Sequence, residues 1–118
     1  MKVKEIDVDS WDRKSVYEYF GTFSNPCYGF NVEMDITELV KVTKENKQSF
    51  FINMLFLVYM GLESIEEMRT RIVNYKVVVY EEINPAYTVM TKLGAFENCG
   101  VKATHDYKTF YERVHLDV

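Results

Sequence analysis

Two periods run through the chain. Residues 27–35, "CYGFNVEMD", alternate, so that Tyr28, Phe30, Val32 and Met34 fall on one face and predict a strand. A weaker alternation over residues 2–9 predicts a short edge strand. "MRTRIV" (68–73) alternates as well. "NY" (74–75) reads as a turn and "KVVVYEE" (76–82) as the returning strand. "INPAYTVMTKLGAF" (83–96) opens on a Pro-marked turn and continues β-rich. Between these segments the spacing lengthens to that of a helix. Residues 11–20, "WDRKSVYEYF", form an amphipathic run that Asp9 or Ser10 can cap and Gly21 can end. Asp35 and Glu38 have capping-box spacing ahead of a helix over Thr37–Lys44. Ser49 can cap a helix over residues 50–62 that is apolar on nearly every face, and such a helix belongs inside a protein or against a partner. Tyr107, Phe110, Tyr111 and Val114 fall at i, i+3, i+4 and i+7 of a last helix. The order β-α-β-α-α-β-β-β-α predicts an α/β fold, a mixed sheet with helices packed on one face.

Length and composition narrow this picture. The 118 residues show no repeat, linker or low-complexity stretch and predict a single domain over 1–118. At 47% apolar the chain can bury a core. Nine Tyr and eight Phe are many for so small an interior, so some rings are expected to line a cavity or an interface. A net charge of −4 argues against nucleic acid. "MKVKEIDVDS" lacks the apolar run of a secretory signal. "FFINMLFLVYM" (50–60) falls short of the ~20 residues that span a bilayer, so no membrane partner is expected. Cys27 and Cys99 fit reduced thiols in a cytoplasmic protein. The all-round apolar helix and open strand edges predict a homo-oligomer, a dimer or trimer, with Phe50, Phe51, Leu55 or Phe56 partly in the interface.

No catalytic motif is intact. The glycines are too scattered for a phosphate loop. His105 with Asp106, and His115 with Asp117, lack metal-ligand spacing and read as solvated helix-end residues. A Cys-His nucleophile built on Cys27 or Cys99 is outweighed by the commoner free thiol. Glu63, Glu66 and Glu67 read as a solvated helix end. Tyr19, Phe20 and Phe23 are either helix core or an aromatic wall for a flat ligand. Thr88 taken alone is an ordinary strand residue. Arg13 stands out, because the first turn of a helix disfavours a cation. Its placement calls for a partner.

Four segments, "SWDRKSVYEYF", "EMDIT", "MRTRI" leading to "YKVVVYEEINPAYTVM", and "DYKTFYERV", occur in the order and spacing of one family. The chain resembles the N-terminal half of the type A chloramphenicol acetyltransferases across nearly its whole length. The resemblance implies a mixed αβ sandwich that forms trimers with active sites between subunits. There a histidine deprotonates the 3-hydroxyl of chloramphenicol, which attacks acetyl-CoA. By position, the acceptor pocket would use Tyr19, Phe20, Pro26, Cys27, Tyr28, Thr88 and Phe96. The loop before Cys27 is one residue longer than in several members, and the stretch from Thr88 to Phe96 one shorter. The family's W-x-R arginine, matched by Arg13, pairs with the aspartate of an H-H-x-x-x-D-G motif and so orients the catalytic histidine. That motif is absent from these 118 residues, and neither His105 nor His115 has an Asp four positions on. Most of the acetyl-CoA tunnel also belongs to the other half. The resemblance therefore implies a chloramphenicol O-acetyltransferase-like protein that keeps the acceptor wall, lacks the base and is inactive alone. Acetyl-CoA is the family co-substrate and no metal is needed. The alternative is a non-catalytic binding or interaction module on the same half-fold.

Overall fold

The computed structural model describes residues 2–117. Strand β1 (Val3–Glu5) leads into a 3-10 turn at Val8–Ser10, where the Asp7 carboxylate accepts from the Asp9 amide. Helix α1 then covers Lys14–Gly21. It starts three residues later than the periodicity predicts, after the 3-10 turn at Val8–Ser10, and neither Asp9 nor Ser10 caps it: Arg13 holds the N-cap position without a side-chain hydrogen bond. Helices α2 (Thr37–Glu45) and α3 (Phe50–Glu63) follow. Asp35 accepts from the amide and hydroxyl of Thr37 at 3.0 and 2.6 Å, which holds its carboxyl below the usual range. Ser49 caps α3 by accepting from the Ile52 amide.

A second 3-10 turn, Glu66–Arg69, feeds β2 (Thr70–Val73) and β3 (Lys76–Tyr80). Asn74 and Tyr75 both have positive φ, 51° and 66°, the geometry of a two-residue hairpin turn whose twist matches the strands. The sheet order is β1-β3-β2, antiparallel throughout, with Lys4 and Thr70 both facing Val79. Val77, Val78 and Val79 are all buried, so both faces of β3 are covered, and that is why its sequence is a continuous apolar run. Strands β4 (Ala86–Met90) and β5 (Phe96–Gly100) pair separately as a hairpin. Gly94, at φ 80°, lets the Thr91 amide close that turn on the Ala95 carbonyl at 2.8 Å. Helix α4 (Tyr107–Asp117) is capped by Asp106, which accepts from the Thr109 amide.

The core forms where α3, α4 and the β4–β5 hairpin meet. Ile52, Phe110 and Val114 are fully buried there with Tyr59, Tyr87 and Val101. Each such side chain removed from water contributes about 1.5–3 kcal/mol. Tyr59 stacks on Phe110 with ring centroids 5.8 Å apart, and Phe56 tilts against it at 5.0 Å. The buried Asn53 side chain is paired, as burial demands. The Asn53 amide donates to Thr43 and Gln48 at 3.0 Å, and Tyr107 donates to its carbonyl, which ties α2, α3 and α4 together.

Two expectations are corrected. The strand predicted over 27–35 does not form. Residues 26–36 run without regular structure, and among the described residues none of the amides or carbonyls of 26–35 makes a backbone hydrogen bond, since no strand edge of this chain lies beside them. The strands make two small sheets and not one, because β5, which alternation did not separate from β4, gives β4 its own partner. Helix α3 lays Leu55 and Phe56 against its own core, leaving Phe50, Phe51, Leu57 and Val58 exposed. None of the described helices is long and apolar enough to cross a membrane.

Candidate functional site

Helix α1 and the segment that follows it build an aromatic wall. Tyr19, Phe20 and Phe23 lie on neighbouring turns, and their ring centroids are 5.0–5.5 Å apart in edge-on or tilted pairs. Tyr28 reaches back from the irregular segment to within 5.8 Å of Phe20. Beside this wall is an open hollow of about 330 Å³ lined by Trp11, Arg13, Tyr17, Phe20, Pro26, Tyr28 and Ile72. Its lining is mostly aromatic and apolar with one cation at the rim, a composition suited to a flat ligand with polar substituents.

Arg13 has its partner within this chain. It precedes the first residue of α1, and its guanidinium lies 3.6 Å from the Glu67 carboxylate. Both side chains are about half exposed, so the pair itself contributes little, ~0–1 kcal/mol. Its consequence is positional. The pair spans from the start of α1 to the 3-10 turn before β2 and forms part of a second, polar hollow of about 520 Å³ with Asp7, Asp12 and Glu66.

Of the residues matched to an acceptor pocket, Phe20, Pro26 and Tyr28 thus come together around one hollow. Tyr19 stands behind Phe20 as a ring neighbour. Cys27 is exposed between Pro26 and Tyr28 and is a free thiol, as is Cys99. Thr88 and Phe96 lie on the β4–β5 hairpin, exposed, opposite Asn98 and Met90 respectively, and the hollow takes no residue from that hairpin.

Of the residues read as solvated helix ends, Glu63 is instead built into the interior, while His105 stays exposed at its edge. Glu63 is buried, not solvated. Its carboxylate meets His105 Nε2 and accepts from the Ile83 amide at 3.4 Å. Burial alone would raise its pKa, but the Tyr59 hydroxyl, the His105 ring and the Ile83 amide outweigh that and hold it below the usual value. The same carboxylate and burial push the Tyr59 hydroxyl up. The signal was present in the spacing: 52, 56, 59 and 63 make one helical stripe, and Glu63 ends it. Neither hollow beside α1 reaches His105. Among the described residues no group of three or more His, Cys, Asp or Glu side chains is arranged to hold a metal ion.

The family model for chloramphenicol acetyltransferase matches residues 1–118. The chain belongs to the chloramphenicol acetyltransferase family. A chloramphenicol acetyltransferase of Campylobacter coli is 31% identical over 122 residues, an alignment that takes in 100% of this chain and 56% of that protein. One of Escherichia coli is 25% identical over 114 residues, 96% of this chain and 52% of the other. A solved chloramphenicol acetyltransferase structure superposes with a TM-score of 0.89 at 28% identity, covering 98% of this chain and 55% of that one. The chain spans about half the length of the curated relatives it matches. Over almost its whole length the backbone therefore follows the path of the family fold.

Proposed function

We propose that this chain is the acceptor-binding half of a chloramphenicol acetyltransferase-type site, working in the cytoplasm. A hydroxylated aromatic such as chloramphenicol would lie against Phe20, Pro26 and Tyr28, with Tyr19 stiffening the wall and Arg13 at its rim. Cys27, Thr88 and Phe96 are the further acceptor contacts that the family positions suggest. The observation that carries the reading is the family match over the whole chain combined with the convergence of Phe20, Pro26 and Tyr28 on one hollow.

Acetyl transfer needs a base to take the proton from the acceptor hydroxyl as its oxygen attacks the thioester carbonyl and the coenzyme A thiolate leaves. A base in hydrogen-bond reach contributes ~10²–10⁴-fold. The family's H-H-x-x-x-D-G base does not occur in these 118 residues, so the chain on its own would bind the acceptor and not acetylate it. The test is paired. Ligand-observed NMR with chloramphenicol should report weak binding, with a Kd on the order of millimolar, about 4 kcal/mol, as suits a hollow open on one side. A thiol-release assay with acetyl-CoA and chloramphenicol should stay at background. Turnover by the pure chain, lost on His105→Ala, would show a rebuilt site and overturn the reading.

A further inference from the structure

One carboxylate holds the β4–β5 hairpin at both of its ends. Glu63, the last residue of α3, accepts from the Ile83 amide on the segment that enters the hairpin. It also meets His105 Nε2 on the segment that leaves it. The two segments are tied to each other as well. The Ala103 amide donates to Asn84 Oδ1 at 2.7 Å, and the Val101 amide donates to the Pro85 carbonyl at 3.1 Å. Burial is uneven across the contact. The Glu63 side chain is 6% exposed and the His105 side chain 65%. A fixed acceptor inside is thus covered by an imidazole that water and protons reach.

The charges around this contact decide what the imidazole proton does. Helix α3 supplies Glu63 and the Tyr59 phenol, and the segment before β4 supplies Glu82, whose charge reaches the same phenol. Asp106 follows His105, with its carboxylate accepting from Thr109. Helix α4 supplies Arg113, which donates to the Lys102 carbonyl at 3.3 Å. Glu63 and Asp106 are both held below the usual carboxylate value by the donors they face. An imidazole changes charge between about pH 5 and 8, a window in which carboxylates, phenols and guanidinium groups ordinarily do not. While the ring carries its proton, the buried carboxylate faces a cation. Once the proton leaves, the ring still donates one N–H, but the charge inside is left with neutral partners. A buried charge without a counter-charge is costly.

We propose that His105 and Glu63 form a proton-operated latch, which clamps both ends of the β4–β5 hairpin onto α3 while the imidazole is charged and releases them as the ring loses its proton. The closed state contains the ion pair, so it is favoured at the acid end of the window and loses that advantage as pH rises. Release is local, since Phe110 and Val114 hold α4 by apolar burial that involves no charge. The latch does not rest on the ligand reading above, because the hollow beside α1 takes no residue from it.

Amide hydrogen exchange of the 118-residue chain, expressed as protection factors at pH 6.0 and 8.5, reads the latch through the Ile83 and Ala103 amides. Both should lose about tenfold in protection over this interval, while the amides of β3 lose less than about twofold. His105→Gln keeps a donor and removes the charge. Its protection at pH 6.0 should already equal that of the unsubstituted chain at pH 8.5, with no further fall. His105→Lys carries a charge across the interval and should keep full protection at pH 8.5. His115→Gln, at the other histidine of the chain, should leave the pH dependence intact. Both histidines are exposed, so unchanged circular dichroism is expected for all three variants. The comparison of the unsubstituted chain at two pH values stands even where a variant does not fold. Protection that ignores pH, a pH dependence that survives His105→Gln or vanishes in His115→Gln, or His105→Lys as weak as His105→Gln would each overturn the proposal.

Discussion

The buried Glu63 carboxylate at the end of α3 faces His105 Nε2 from the segment ahead of α4, and it joins the two helices through a polar contact placed directly beside the Tyr59–Phe110 stack. Its net pKa lies below the usual carboxylate value. A carboxyl held low in the folded state stabilises the fold above its ordinary pKa and loses that contribution as pH falls through the lower folded value. Glu63→Gln should therefore cost about 1–3 kcal/mol at pH 7. The gap to the unsubstituted chain should close on acidification toward pH 3. Urea unfolding followed by circular dichroism at both pH values measures it, and a gap that widens in acid would contradict the assignment.

Packing sets a second contrast. Phe110 is fully buried, stacked on Tyr59 and tilted against Phe56. Phe110→Ala removes a ring from the meeting point of α3, α4 and the β4–β5 hairpin, and should cost about 3–5 kcal/mol. Leu116, on the same helix, is 87% exposed. Leu116→Ala should stay within about 0.5 kcal/mol. Similar losses at both positions would mean that α4 is not seated as described.

The β2–β3 turn offers a gain. Tyr75 sits at φ 66° with its side chain wholly exposed, so it bears left-handed strain with no packing in return. Tyr75→Gly restores the Asn-Gly pair that such turns favour and should stabilise the chain by about 1 kcal/mol. Thermal unfolding checks this, and a lower Tm would mean that the turn adopts another geometry.

What the sequence made legible was whatever local period alone decides. The helices over 37–44 and 50–62, the 74–75 turn with its two strands, and the Tyr107–Val114 stripe all appear where their spacing puts them. Residues 27–35 show the limit. Alternation records a preference for two neighbours, and it produces a strand only where those neighbours exist. Glu63 shows a second limit. A carboxylate at a helix end is solvated by default, and it is the tertiary approach of Ile83 and His105 to the end of α3 that takes it out of water. The aromatic wall was legible as an ambiguity. Helical spacing alone left Tyr19, Phe20 and Phe23 as core or cavity, and Tyr28, eight residues on from Phe20, closed the hollow only through tertiary approach.

The last prediction separates the two groups that flank that hollow. Phe20 and Tyr28 supply its apolar faces, and Phe20 also carries the ring contacts to Tyr19 and Phe23. Arg13 reaches the same hollow, but its guanidinium is engaged with Glu67. If an acceptor lies flat against the rings, Phe20→Ala and Tyr28→Ala should each lower chloramphenicol affinity, already near millimolar, by about tenfold, which is 1.4 kcal/mol. Arg13→Ala should change it by less than about twofold, because it breaks only an exposed pair of ~0–1 kcal/mol. Titrations of the three variants by ligand-observed NMR at 50 and 500 mM salt decide it. Ring variants should weaken binding equally at both salts. If Arg13→Ala alone removes binding, and the affinity of the unsubstituted chain falls with salt, then the ligand is held by the guanidinium and not by the wall.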